Sequence, residues 1–258
     1  MKKITLFACF LALLFVVSCG TKKRDIDFNV DYMYAKALDE LNKNKLEAAK
    51  PLLIAISQEY PYREEAIEAQ VLLAWIYYLQ NNYEQTESTL ETFLNYYVYN
   101  NYTQWAQYFL ALVKYEQLDD ILRDQSNTLQ ALERFAAIIR SNKNSIYFKD
   151  SKLKIDVLKH HLAAREMNVG RFYSNYGSYI AAVNRYNSVV NNYSDTIFIQ
   201  EALYRLSETY IVLGFPDLAF KSVSILGYNY ADSEWYKDAL NLLKKHTQFN
   251  SDLKIPRL

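Results

Sequence analysis

The chain has 258 residues, of which only 5 are Gly and 4 are Pro, whereas 24 are Tyr and 13 are Phe. Because sandwiches, barrels and βαβ folds need Gly and Pro at their many turns, this composition argues against them and favours long helices joined by short connections. Hydrophobic residues at 51% suffice for a sizeable core, and a net charge of zero lacks the positive field typical of nucleic-acid-binding proteins.

The N-terminus has the pattern of an export signal. Met1-Lys2-Lys3 is a short basic start, and residues 4–17 are apolar apart from one Thr and one Cys. A helix of that length spans about 21 Å, which is less than the hydrocarbon core of a bilayer at about 30 Å. Residues 1–18 are therefore predicted to be a cleaved signal peptide and not a transmembrane helix.

The signal ends in Val-Val-Ser-Cys at residues 16–19, which resembles a bacterial lipobox. Its position directly after the apolar run predicts that Cys19 carries a diacylglycerol and an N-acyl chain, and two or more acyl chains anchor a protein stably. Gly20 stands where an inner-membrane lipoprotein usually has Asp, so we expect the periplasmic face of the outer membrane. An ordinary secretory signal with an incidental Cys is the alternative. Since Cys9 would be removed with the signal, no disulfide is expected.

A repeat with a period of 37 residues follows. Its first column holds small residues, at Ala37, Ala74, Ala111, Gly170 and Ser207. Seven positions later stand residues that tolerate a left-handed backbone and therefore predict a turn, at Asn44, Asn81, Gly177 and Gly214. A second small residue stands at position twelve, large apolar residues stand at sixteen and nineteen, and a Tyr stands at twenty-three. The unit is thus a helix A, a turn, and a helix B that ends at the Tyr.

The order small, turn, small, bulky, bulky resembles the tetratricopeptide repeat. This resemblance implies an all-α fold, a right-handed superhelix of about five helix pairs, or α-solenoid. The third repeat departs from the pattern, because its second small residue, Ala131, comes eight positions late and predicts an enlarged turn within residues 119–128. A second insertion of fourteen residues predicts one long connecting helix over residues 149–175 before the turn of the fourth repeat.

Signatures of catalysis are missing, so we expect neither an enzyme nor a cofactor other than the covalent lipid. The sequence has no glycine-rich phosphate loop, no G-x-S-x-G elbow and no H-E-x-x-H zinc helix. Adjacent residues on a helix point about 100° apart, so His160 and His161 cannot share a metal ion without further ligands. We interpret them as exposed helix histidines, and the pair Asp119-Asp120 as a solvated loop end.

Aromatic residues mark a candidate peptide groove in the first three repeats. In a superhelix of this type helix A lines the concave face, and the groove columns lie three before, one after and four after the first small residue. The aromatic members are Tyr34, Trp75, Tyr78, Tyr108 and Tyr115. Such a groove suits an extended peptide or a strand end. The alternative is that these rings only pack against the long loop of repeat three.

The same groove columns differ in the last two repeats. They hold Met167, Arg171, Ser174, Tyr204, Glu208 and Ile211. The two halves are therefore decorated differently, and we expect them to contact different partners. The predicted organisation is a signal peptide (1–18), a lipidated tether (19–30), repeats one to three (31–143), the long helix with repeats four and five (144–250), and a tail (251–258).

The chain resembles the BamD family, the lipoproteins of the bacterial outer-membrane β-barrel assembly machine. The resemblance rests on the lipobox, the degenerate repeats, the enlarged turn of the third repeat and the long helix that leads into the fourth repeat. Tyr60-Pro61-Tyr62 is similar to the family's signature at the close of the first repeat. Residues 161–166, 169–173 and 179–185 are similar to its fourth-repeat block. Ala231 departs from the family, where Pro is commoner.

This resemblance implies a non-enzymatic, lipid-anchored scaffold. Its C-terminal repeats would join the periplasmic domains of the barrel insertase BamA, with Asn184 and Arg185 in the BamA-facing half, in a complex with other Bam lipoproteins. Its N-terminal repeats would bind the C-terminal signals of unfolded barrel proteins, through Tyr62 and the groove aromatics. A repeat-containing pilotin that escorts secretins is the alternative, and a peptidoglycan-linked coordinator is a third.

Overall fold

The computed structural model describes residues 30–246, and every element of regular structure in this range is an α-helix. In chain order these are α1 (Val30–Asn42), α2 (Leu46–Glu59), α3 (Glu64–Leu79), α4 (Tyr83–Tyr96), α5 (Thr103–Glu116), α6 (Ser126–Ser141), α7 (Phe148–Asn175), α8 (Tyr179–Asn192), α9 (Ile199–Val212), α10 (Pro216–Asn229) and α11 (Glu234–His246). The predicted all-α fold of tetratricopeptide-like helix pairs is confirmed. The predicted signal peptide, Cys19 and the tail at 251–258 lie outside the described residues.

The chain divides into two compact units between Gln80 and Asn81. In the first unit, α1, α2 and α3 pack around a core that includes Ala37, Leu53 and Ile76. In the second unit, α4 to α11 pack in chain order, each against the next or the next but one. The predicted separation of repeats one to three from the later repeats remains a prediction.

The four predicted turn residues adopt the left-handed backbone that the repeat requires. Their φ angles are 56° for both Asn44 and Asn81, 74° for Gly177 and 79° for Gly214. After Asn44, the N–H of Lys45 donates to the Glu40 carbonyl five residues back, at 2.8 Å. The same bond recurs after Gly177 and Gly214, at 2.9 and 2.8 Å. This bond satisfies a carbonyl at the end of the three helices A that precede Asn44, Gly177 and Gly214. At all four turns a link of three residues is enough to start helix B.

The two small columns and the bulky columns form the core of the repeats. Every residue of the small columns is buried, as is the Ala131 that the enlarged turn displaces. The bulky residues of helices B are also buried, at Leu53, Ile56, Leu90, Phe93, Phe135, Ile138, Tyr186, Val189, Val223 and Leu226. The Tyr column ends helices B, and each of these Tyr N–H groups donates to the carbonyl four residues before it. The repeat pattern therefore predicted the core correctly.

The enlarged turn of the third repeat is shorter than predicted. It covers residues 117–125, because α6 begins at Ser126, two residues earlier relative to its small residue than the other helices B. Thr128, predicted within the turn, lies inside α6 and is fully buried. Its hydroxyl donates to Gln125 Oε1 at 2.9 Å, while Gln125 Nε2 donates to the Asp120 carbonyl at 3.0 Å. Gln125 thus joins the start of α6 to the loop, whose Asp119 and Asp120 are exposed as predicted.

The predicted long helix is α7, which has 28 residues and is about 42 Å long. Ile155 and Leu158 in its first half belong to a core cluster with α5 and α6. Ala163 and Met167 in its second half belong to another cluster, with α8 and α9. One helix therefore supplies both the connection and helix A of the fourth repeat.

His160 and His161 are half-buried, so the prediction of exposed histidines is wrong. The connection between α8 and α9 lies against this part of α7, where the Ile197 N–H donates to His160 Nε2 at 3.4 Å. His160 Nδ1 lies 2.7 Å from the Asp156 carbonyl. These two contacts fit a ring that donates from Nδ1 and accepts at Nε2, so His160 connects α7 to the segment before α9.

The last helix, α11, was not predicted as a separate element. It packs against α9 and α10, and it buries Ala239 and Leu243, which are four residues apart on one face. A polar outer face follows from its charged residues, including Lys237 and Glu234, which form an exposed ion pair. The helix therefore covers the apolar surface of the fifth repeat, as terminal helices do in repeat proteins.

Replacing Gly170 tests how closely helices A and B pack. A Cβ at this position would lie 2.8 Å from Cδ1 of Tyr186, whose side chain is fully buried. We expect Gly170→Ala to lower the free energy of unfolding by about 1–3 kcal/mol, because overpacking outweighs the better helix propensity of Ala. Urea denaturation followed by circular dichroism measures this. In a Tyr186→Leu background the added methyl has more room, so the same change should cost less, and a Gly170→Ala variant as stable as the wild type would contradict the packing argument.

Candidate peptide and partner surfaces

Four of the predicted peptide-binding residues lie in the first unit, and we call Tyr34, Tyr62, Trp75 and Tyr78 the first-unit aromatic surface. Trp75 and Tyr78 are three residues apart on α3, and their rings stack with centroids 5.7 Å apart. The Trp75 side chain remains 44% exposed. Tyr62, in the connection between α2 and α3, is fully exposed. This surface thus offers two large aromatic side chains to solvent.

Tyr34, in the same surface, also packs against the core and connects two helices. Its ring packs against the core of the first unit, and its hydroxyl donates to Glu68 Oε2 at 2.6 Å. The bond joins α1 to α3, so Tyr34 fixes the position of these two helices while exposing part of its ring. A short hydrogen bond to a carboxylate is stronger than one between neutral groups.

Tyr108 and Tyr115, in the second unit, pack mainly against helices. The Tyr108 ring stacks on Tyr147 at 4.5 Å, and its hydroxyl donates to Asp150 Oδ2 at 2.6 Å. Tyr115 meets Phe135 edge to face at 6.2 Å, with Lys154 Nζ above its ring at 4.7 Å. Tyr147, Asp150 and Lys154 lie at the start of α7 and not in the loop of the third repeat. Both tyrosines are half-buried, so part of each ring is available to a ligand.

The environment of Tyr108 also changes its acidity. Burial raises the pKa of the Tyr108 hydroxyl well above its usual range, and the hydrogen bond to Asp150 raises it further, since an ionised phenol would face a carboxylate. Tyr108 is therefore a neutral donor at every physiological pH.

Asn184 and Arg185, the predicted partner-binding residues, lie on α8 beside a cavity of 260 Å³. The cavity is lined by Glu166, Tyr173, Ala181, Asn184, Arg185 and Ser188. Arg185 Nη1 donates to Glu166 Oε2 at 3.2 Å, and Arg165 Nη1 donates to the other carboxylate oxygen at 3.2 Å. Glu166 is 12% exposed whereas Arg185 is 40% exposed. The carboxylate therefore holds the Arg185 guanidinium in place, and part of the guanidinium faces solvent.

A second cavity, of 320 Å³, lies among α7, α8 and α9, and we call it the arginine cleft. Its lining comprises Arg171, Ser174, Asn175, Tyr179, Tyr186, Arg205, Glu208, Thr209 and Val212. Arg171, Ser174 and Glu208 stand in predicted groove columns, so the repeat pattern located part of this cleft. Arg205 was missed, because it occupies none of those columns. Met167 was placed in a groove column but is fully buried in the core, since Ala182 and Tyr186 of α8 pack in the same cluster.

Within the described range 30–246, no group of three or more His, Cys, Asp or Glu side chains is arranged to bind a metal ion. None of the described helices is both long enough and apolar enough to cross a membrane. Cys19, the predicted lipidation site, is outside this range.

Comparison with known proteins identifies the family. The model of the YfiO family, described as "Outer membrane lipoprotein", matches residues 27–226. The chain belongs to this family. A Rickettsia prowazekii relative named outer membrane protein assembly factor BamD is 36% identical over 95% of this chain and 99% of its own length. Relatives of the same name from Caulobacter vibrioides (31% identity, 83% of this chain and 70% of the relative) and Neisseria meningitidis (29%, 93% and 95%) also match.

Solved structures similar to this YfiO-family chain include the tetratricopeptide repeat domain of P58(IPK). The match has 14% identity and a TM-score of 0.43, and it covers 85% of this chain and 66% of the other. The tetratricopeptide repeat protein TTC0263 of Thermus thermophilus matches with 16% identity and a TM-score of 0.35, over 84% and 98%.

The Tyr108–Asp150 hydrogen bond predicts a pH dependence of stability. Because the folded-state pKa of Tyr108 lies above its ordinary value of 10.0, its contribution is fully present below pH 10 and declines as pH rises beyond it. We expect Tyr108→Phe to destabilise the protein by about 1–3 kcal/mol at pH 8, with a smaller difference from the wild type at pH 11. Urea unfolding at both pH values measures this.

The matched control for that measurement is Tyr99→Phe, which removes a hydroxyl from a fully exposed ring and should change the free energy of unfolding little at either pH. A Tyr108→Phe difference that is equal at pH 8 and pH 11 would contradict the assignment.

Proposed function

We propose that this protein is a scaffold subunit of the machinery that assembles β-barrel proteins in the outer membrane, and that it performs no catalysis. The observation that carries the proposal is the 36% identity, over nearly the full length of both chains, to a relative named as an outer membrane protein assembly factor. Repeated helix pairs support it, because such folds present extended surfaces to polypeptide partners.

The first-unit aromatic surface is the proposed site for the C-terminal signal of an unfolded barrel protein. Trp75 and Tyr62 provide exposed rings with polar groups, which give contact area at a low cost in side-chain entropy. Tyr34 and Tyr78 support this surface from α1 and α3. In the second unit, Tyr108 and Tyr115 contribute the exposed parts of their rings to client binding.

The face of α8 that carries Asn184 and Arg185 is the proposed contact for the periplasmic domains of BamA. Glu166 holds the Arg185 guanidinium in one position, so less side-chain entropy is lost when a partner binds. A partner carboxylate can bond the remaining guanidinium N–H groups, and the adjacent Asn184 amide can bond a backbone group.

A lipid on Cys19 is the proposed anchor, which places the protein on the periplasmic face of the outer membrane with other Bam lipoproteins. Cys19 follows the apolar signal directly, and a diacylated or triacylated Cys binds a bilayer stably without any transmembrane helix.

Client binding is tested with Tyr62→Ala and Trp75→Ala combined. Removing both exposed rings should weaken the affinity for a synthetic C-terminal peptide of a barrel protein by about tenfold or more, since buried aromatic contacts dominate such interfaces. Fluorescence anisotropy measures the affinity. Tyr228→Ala on α10 removes a ring whose exposure lies between those of Trp75 and Tyr62, and it should leave the affinity unchanged. A folded double variant that binds the peptide with wild-type affinity would refute this site.

The BamA contact is tested with Arg185→Glu and Arg185→Gln. Charge reversal should reduce co-purification of BamA from solubilised outer membrane by about tenfold or more, and charge removal should reduce it less. The control is Lys152→Glu, which reverses an exposed charge on α7. Recovery of BamA at wild-type yield with Arg185→Glu would refute this contact. If the wild-type protein retained a secretin and no BamA, the assembly proposal as a whole would fail.

A further inference from the structure

The arginine cleft is lined by hydrogen-bond donors that the fold does not fully use. Arg171 donates from Nη1 to both carboxylate oxygens of Glu201, at 2.8 and 3.0 Å. Arg205 donates from Nε to Glu201 at 3.5 Å and from Nη1 to Glu208 at 2.8 Å. A guanidinium has five N–H groups. Among the described residues, no partner accepts from Nη2 of either arginine, although both side chains line the cleft and are about one-third exposed.

The carboxylate oxygens near the cleft, in contrast, already accept hydrogen bonds from the protein. Glu208 also lines the cleft, but its two carboxylate oxygens accept from Arg205 and from the Tyr204 hydroxyl, at 2.8 and 2.9 Å. The Glu201 carboxylate accepts from both arginines. Tyr186 and Ser174 share a hydrogen bond of 3.1 Å at the cleft wall. A ligand that brings acceptors therefore complements the unused Nη2 groups of these walls.

Charge decides which acceptor fits best. Arg171 and Arg205 carry two positive charges, which Glu201 and Glu208 offset, so a ligand with a single negative charge adds less uncompensated charge to the cluster than a dianion such as phosphate. A carboxylate is planar, carries a single charge and matches the N–H groups of a guanidinium in a two-point contact. Charge assistance makes these bonds stronger than bonds to a neutral carbonyl.

We infer that the arginine cleft binds a carboxylate group of a partner polypeptide, through the Nη2 groups of Arg171 and Arg205. The carboxylate belongs either to an acidic side chain or to a chain terminus. This site is separate from the Arg185 face, because no residue lines both cavities. Its lining also includes none of the residues proposed to bind client, so its failure would leave the proposed function intact.

Val212 allows a test that leaves the arginine network in place. It lines the cleft at the end of α9, and its side chain is 58% exposed. The variants Val212→Lys, Val212→Gln and Val212→Glu place a positive, neutral or negative group at the edge of the cleft. Tyr228→Glu is the control, since it adds the same negative charge to an exposed residue that does not line the cleft.

The probes are three peptides, with affinities measured by calorimetry on the full chain in detergent at low salt. The first peptide is rich in glutamate and blocked at both ends, the second has glutamine in place of glutamate, and the third has no acidic side chain but a free C-terminus. For the glutamate peptide we expect Val212→Lys to bind about threefold to tenfold tighter than Val212→Gln, and Val212→Glu weaker by a similar factor. Arg171→Gln, with its fold checked by circular dichroism, should weaken binding about tenfold.

The Val212 variants and the three peptides together identify the source of the carboxylate. A dependence on Val212 for the glutamate peptide assigns the site to acidic side chains, and the same dependence for the third peptide assigns it to a chain terminus. Equal affinities for all three Val212 variants would overturn the inference, as would equal binding of the glutamate and glutamine peptides by the wild-type protein. Tighter binding of inorganic phosphate than of either carboxylate peptide would also overturn it.

Discussion

The close contact of neighbouring helices at buried small side chains is the constraint on which the repeats depend. At Gly170 the Tyr186 ring occupies the space that any Cβ would need, so α7 and α8 can adopt their distance only because this position has no side chain. Ala37, Ala111 and Ser207 occupy the equivalent position elsewhere and are buried just as completely. Once the helices lie this close, the large residues of helix B fill the remaining space, and the dispersion contacts of a dense core follow.

This packing also positions the side chains of the proposed binding sites. Helix A exposes one face because its small residue is turned toward helix B, and the side chains one and four positions after that residue lie on the exposed face. In the first unit this face carries Trp75 and Tyr78, whereas on α7 it carries Arg171 and Ser174. The same backbone therefore supports an aromatic surface in one unit and a charged cleft in the other. A protein with one aromatic surface and one charged cleft can bind partners of different chemistry, as the proposed scaffold role requires.

Local and periodic features could be predicted from the sequence. Asn44, Asn81, Gly177 and Gly214 were identified as turns because few residues tolerate a positive φ, and the bounds of α7 were predicted within one residue at its start. The start of α6 was missed, because it depends on the Gln125 side chain that connects it to the loop. Ring and ion-pair partners could not be predicted. Tyr108 and Asp150 are 42 residues apart, and only the packing of the start of α7 against α5 and α6 brings them together.

The length of α7 has a mechanical consequence. Its first half shares a core with the third repeat and its second half shares a core with the fourth, and no break in the helix separates the two. In most repeat arrays adjacent units are joined by a loop, so one unit can fray while its neighbour stays folded. Here one continuous helix contributes to the cores of both the third and the fourth repeat, so we expect the two repeats to unfold together. The same uninterrupted helix carries Glu166, which bonds Arg185, and Asp150, which bonds Tyr108, so one element supports both side chains.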